Sequence, residues 1–139
     1  MVIAPWYDWA ENKQKESGGS VEEWVAKYHQ MSDRLTQILE EKGLMKDVLT
    51  PQRTDVTKVR HPKTLKEAGF IKDFPQNARR YGLETVTGFY ERVSEPRIAE
   101  LAASVMGITT NELSELRAKI ELKLGQEYID ISKELEKYS

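Results

Sequence analysis

Three stretches of this chain repeat apolar residues at helical intervals, and the polar residues beside them mark where each helix begins and ends. Trp24, Tyr28, Met31, Leu35 and Ile38 recur at alternating steps of four and three, which lays one stripe along a helix. Ser20 and Glu23 bracket its start as a capping box, in which the hydroxyl takes a free amide and the glutamate reaches back. Lys42 and Gly43 close it, because glycine adopts the left-handed conformation that stops a helix. A helix over 20–42 is therefore predicted. A second is predicted over 95–106, entered through Ser94, Glu95 and Pro96 and stopped at Gly107. Thr109 and Glu112 form another capping box ahead of Leu113, Leu116, Ile120, Leu124, Tyr128, Ile131, Leu135 and Tyr138. This stripe predicts one unbroken helix over 110–138, about twice the usual globular length.

Elsewhere the periodicity lapses. Thr50-Pro51 and His61-Pro62 push their surroundings towards extended backbone. Thr54, Val56 and Val59 would suit a short strand, but no partner strand is evident, so residues 44–62 read as a long ordered loop. Thr64 and Glu67 form a further capping box, expected to open a short helix that ends near Gly69; Asp73, Phe74 and Pro75 open another. Leu83, Val86, Tyr90 and Val93 continue at helical spacing. Residues 1–19 read as an extended arm carrying Trp6, Tyr7 and Trp9, followed by the flexible run Ser17-Gly18-Gly19. The expected fold class is all-α: a small helical domain over 20–139 with a long C-terminal amphipathic helix and an extended N-terminal arm over 1–19.

Composition narrows the chemistry. The 139 residues are 39% hydrophobic and 32% charged, which suits a folded, charge-rich helical domain. The chain has no cysteine, which excludes disulfides, thiolate catalysis and cysteine-ligated metal centres. A start lacking a basic region and an apolar core, and the absence of a long apolar run, predict a cytoplasmic protein without a membrane span. Net charge is −2, and only the middle is basic: residues 44–96 carry 10 basic and 7 acidic side chains. Nucleic-acid binding would therefore have to be local.

Ala103, Gly107, Ile108, Leu113 and Leu116 are spaced as in a DNA-binding helix-turn-helix over 97–117, and equally as in an ordinary corner between two helices. Charge separates the two. The first turns of the would-be recognition helix carry Glu112 and Glu115 and no base, whereas a polyanion favours Arg, Lys, Asn and Gln there. Arg117 and Lys119 come only later, so the structural corner is favoured. A second basic feature, Arg53, Lys58, Arg60, His61, Lys63 and Lys66, is opposed only by Asp55 within 52–66. With Arg79 and Arg80 it is a candidate anion or nucleic-acid contact.

Catalytic signals are thin. His29 and His61 are the only histidines, and neither has a second at metal-ligand spacing. Adjacent pairs such as Glu22-Glu23 point in different directions on a helix, and Gly18-Gly19-Ser20 lacks a phosphate-binding lysine. No catalytic residue, metal or cofactor is expected, and the chain is not expected to be an enzyme by itself. Candidate protein-interface residues are Trp6, Tyr7 and Trp9, as anchoring aromatics, with Leu116, Ile120, Leu124, Tyr128, Ile131 and Leu135.

Residues 64–137 are similar in places to the end of the small subunit of cobalamin-dependent diol and glycerol dehydratases. Thr64-Leu65, then Val93 through Ile98, then Thr110, Glu112 and Leu113 carry the likeness. The arginine- and alanine-rich helix of that family would fall near 84–92, where this chain differs, as it does over its first 60 residues. The resemblance implies an accessory-subunit class. The leading expectation is accordingly a non-catalytic helical assembly or accessory protein with protein subunits as partners, in a homo- or hetero-oligomer. The alternative is a helix-turn-helix DNA-binding regulator.

Overall fold

Every capping box makes its bond. Ser20 Oγ accepts from the Glu23 amide at 3.2 Å. The Thr64–Glu67 and Thr109–Glu112 boxes close in both directions, at 3.0–3.2 Å. The computed structural model describes residues 4–51, 56–75 and 77–138. Within them lie six helices: α1 (Pro5–Ser17), α2 (Val21–Glu41), α3 (Val86–Val93), α4 (Pro96–Met106), α5 (Thr110–Leu124) and α6 (Gln126–Glu136). Strands β1 (Met45–Pro51) and β2 (Val56–Pro62) complete the set.

The chain is mostly helical but not all-α. The expected loop over 44–62 is an antiparallel hairpin whose register runs from Met45 opposite Pro62 to Pro51 opposite Val56. The partner strand missing from the sequence pattern is 45–51. Half-buried Val48 and Val59 face each other across it, and the opposed pair Asp47 and Arg60 forms an ion pair at 2.9 Å. Such cross-strand pairs are what stabilise a sheet.

Three other expectations change. The N-terminal arm is helical rather than extended, because Pro5 sits in a first turn that needs no amide donor and Trp9 and Ala10 are buried. The helix expected over 110–138 breaks at Gly125, whose φ of +86° and ψ of 165° cannot continue a helix and start α6 afresh. The short helices expected after Thr64 and Asp73 are turns; the Phe70 amide returns to the Leu65 carbonyl at 2.9 Å, immediately past Gly69. The first regular helix of this region, α3, is capped instead by Thr85, whose hydroxyl accepts from the Gly88 amide.

The chain divides into two compact units, Met1–Ile38 with Leu124–Ser139, and Leu39–Lys123. In the first, Trp9, Ala10, Ile38, Leu124, Tyr128 and Ile129 are buried, and Arg34 makes a two-pronged pair with Glu127 at 2.8–2.9 Å. In the second, Leu44, Leu65, Leu83, Val86, Phe89 and Ile120 are fully buried. Backbone bonds stitch its irregular part together. Lys63 donates to Leu44, Leu65 donates to Glu84 and Val86 donates to Lys63, around a bridge between Thr64 and Thr85. No helix among the described residues is long and apolar enough to cross a membrane.

Candidate functional site

Gly107, at φ +68°, ends α4 and turns the chain into the Thr109 cap of α5. Buried Ala103 lies beneath this corner, where its carbonyl accepts from the Ile108 amide at 3.0 Å. On another side of the second unit, the closed turn at Leu65–Phe70 launches the irregular segment 70–75. The corner and this segment enclose an open cleft of about 590 Å³. Its apolar surface comes from Phe70, Ile71, Phe74 and Pro75 on one side and Met106, Ile108 and Leu116 on the other. Five of these seven, all but Met106 and Leu116, are only half-buried.

Charged residues rim the cleft: Lys72, Asp73, Glu112, Glu115 and Lys119. Two of the carboxylates are already engaged. Asp73 pairs with Lys66 at 3.2 Å, and Glu112 closes the Thr109 box. Lys72, Lys119 and Glu115 have no ion-pair partner among the described residues. The arrangement offers a partly apolar trough with two lysines and three carboxylates at its edge, suited to an amphipathic chain segment.

Of the residues singled out from sequence, Leu116 and Lys119 come together in this cleft. The rest of the stripe is core or half-core: Ile120, Leu124 and Tyr128 are buried, Ile131 and Leu135 half-buried. Trp9 is 2% exposed, and its indole packs edge-on against Trp24 and Tyr28. Trp6 and Tyr7 remain at the surface, 38% and 41% exposed, with Trp6 5.8 Å from the His29 ring.

The basic residues are dispersed, and several are neutralised. Arg60 reaches both Asp47 and Glu40, which raises its own pKa and lowers that of Asp47. Lys66 holds Asp73 and Arg79 lies 3.6 Å from Glu84. Arg117 turns inward over the Tyr90 ring, with Ser94 and Glu121 as further partners. Lys58, His61 and Arg80 are exposed, Lys63 is half-buried, and Arg53 lies outside the described residues. No group of three or more metal-binding side chains occurs among the described residues.

Lys46 grips Glu67 through both carboxylate oxygens at 2.7–2.8 Å, and the Thr64 amide and hydroxyl add to that hold. Together they lower the Glu67 carboxyl from an ordinary 4.5 to about 2. This clamp fixes the turn that positions Phe70 at the cleft.

Sequence reading missed Phe70, Ile71, Phe74, Pro75, Met106 and Ile108 as site residues. The available signal was two apolar pairs, Phe70-Ile71 and Phe74-Pro75, standing outside any periodic stripe and therefore without an obvious core to enter. Comparison with protein families, characterised proteins and solved structures finds no match for this chain.

Proposed function

We propose that this protein is a cytoplasmic, non-catalytic interaction protein, an accessory subunit that docks an amphipathic segment of a different chain in the cleft between 70–75 and the α4–α5 corner. The observation that carries this reading is the cleft itself, with five half-buried apolar residues held open on a clamped turn and a capped corner. Contiguous apolar surface with a polar rim marks sites of association. A helix laid in such a trough presents side chains at i, i+3, i+4 and i+7, matching the mixed aromatic and aliphatic walls. The rim carries Lys72 and Lys119 beside Glu112 and Glu115, with Asp73 paired to Lys66, and this balance calls for an occupant with both basic and acidic residues.

Site-specific photocrosslinking in the source cell tests this. A benzophenone side chain at Phe74 or Ile108 should label one segment of one partner, apolar at helical spacing and charged between those positions. The same group at Leu122, 85% exposed on α5, should not. Labelling only from position 122, or of no chain from the cleft, would contradict the proposal.

A further inference from the structure

A second, smaller concavity of about 200 Å³ lies in the Leu39–Lys123 unit and shares no residue with the cleft; Tyr81, Leu83, Arg92, Ile98, Leu101 and Ala102 line it. Leu83 and Ala102 are buried, Ile98 is half-buried, and Tyr81 and Leu101 are exposed at 41% and 48%. Arg92 is its one charged lining residue. Gly82 makes room for it. A Cβ on Gly82, where φ is +71°, would stand 2.5 Å from Arg92 Cζ, so the guanidinium occupies space that any other residue would fill. A Cβ on Gly88 would crowd the Thr85 hydroxyl at 2.7 Å and the Gly82 carbonyl at 2.9 Å, and would meet Arg92 Nη1 only at an ordinary contact distance of 3.8 Å.

Arg34, Arg60, Arg79 and Arg117 each have a carboxylate partner, whereas Arg92, Arg80 and Arg97, all exposed, have none among the described residues, and of these three only Arg92 lines the concavity. The fold thus seats an unpaired guanidinium beside an apolar pocket. We propose that this pocket binds a small monocarboxylate with a compact apolar body, its carboxylate on Arg92 and its body against Leu83, Ile98 and Leu101.

Each part of that ligand answers a feature of the pocket. Guanidinium presents a planar fork that matches a carboxylate through two parallel hydrogen bonds. A neutral ligand would leave that fork unused, and a bare phosphate would leave the apolar walls unused. Size sets the body: an apolar cavity of about 150 Å³ takes a benzene ring. The 200 Å³ here accommodates one ring or branched alkyl group together with its carboxylate.

Nuclear magnetic resonance titration of the full chain tests the inference with benzoate, neutral benzamide, and a peptide ending in phenylalanine with a free carboxylate. Benzoate should shift the Arg92 Nε–H and the Ile98 and Leu101 methyl signals. It should bind about tenfold tighter than benzamide, the difference expected of one charge-assisted contact. Arg92→Gln should abolish that preference, and Leu101→Ala should weaken both ligands. Should Arg92→Gln fail to fold, Arg92→Lys, which keeps the charge and loses the fork, should reduce the preference severalfold. Equal binding of benzoate and benzamide, a preference that survives Arg92→Gln, or shifts elsewhere on the chain would overturn the proposal. So would binding of the peptide alone, because the site would then take a chain terminus.

Discussion

The indole N–H of Trp9 donates to the backbone carbonyl of Glu134 at 2.9 Å, across 125 positions of sequence. Lys13, one turn further along α1, forms an ion pair with the carboxylate of the same Glu134 and lies 5.5 Å from the Trp9 ring centroid. The first and last helices of the chain are therefore joined by both main-chain and side-chain contacts within one unit. Trp9→Ala should lose about 3–5 kcal/mol, the range for emptying a buried aromatic site. Trp9→Phe keeps most of the packing and removes one of the two donors to the Glu134 carbonyl, which still accepts from the Lys137 amide at 3.3 Å, and should lose about 0.5–1.5 kcal/mol. Trp6→Ala, at a partly exposed position that keeps ring contacts with Tyr7 and His29, should lose less, about 0.5–1.5 kcal/mol. Urea denaturation of the three variants reads these differences directly.

How far the sequence revealed this fold depended on whether a signal was local. The capping boxes at Ser20, Thr64 and Thr109 and the stop at Gly43 involve residues a few positions apart, so they were legible and their bonds form, although the Thr64 box closes a turn and not the helix expected of it. The hairpin was not legible because its evidence is pairwise. Asp47 means little until Arg60 is known to lie opposite it. Gly125 was hidden by a stripe that keeps helical spacing through Leu124 and Tyr128 although the helix itself restarts between them. The cleft was the least legible part. Its walls come from a non-periodic segment and a corner more than thirty positions away, of which only Leu116 and Lys119 had been singled out as site residues.

Gly125 offers a sharp test of that helix break. At φ +86° and ψ 165° an alanine is strained whatever space surrounds it, and no heavy atom lies within 4 Å of where its Cβ would stand. Backbone strain alone should then lower the stability of Gly125→Ala by about 1–3 kcal/mol. Thermal unfolding followed by circular dichroism measures this. An unchanged midpoint would mean that the two helices join without cost.

The Lys46–Glu67 clamp gives a pH dependence whose sign is fixed by its direction. Glu67 has a lower pKa in the folded chain, about 2 against an ordinary 4.5. Its contribution is therefore fully present above 4.5 and lost as pH falls through about 2. Wild type should lose more stability than Glu67→Gln between about pH 5 and about pH 2. Because the pair is partly exposed, the difference should be small and shrink further in salt. Urea midpoints across that window, with and without added salt, check both statements.

Arg117 distinguishes a structural corner from a DNA reader. Its guanidinium lies 5.1 Å from the Tyr90 ring centroid, and the Tyr90 hydroxyl donates to Glu121 at 3.0 Å. Arg117→Gln should therefore cost about 1 kcal/mol of stability through lost ring contact. The purified chain should shift no duplex at low salt, including DNA from its own locus. Duplex binding that weakens steeply with salt and disappears on replacing Arg117 and Lys119 would favour the DNA-binding alternative.

Calorimetry on the complex reconstituted with the crosslinked partner segment is the most direct measure of the central claim. Phe74→Asp and Ile108→Asp alter half-buried cleft walls, while Leu122→Asp alters an exposed position outside them. Binding should be at least tenfold weaker for each cleft variant, unchanged for Leu122→Asp, and reduced by less for the double variant Lys72→Glu with Lys119→Glu. Unchanged affinity in both cleft variants, with their folds intact, would contradict that claim.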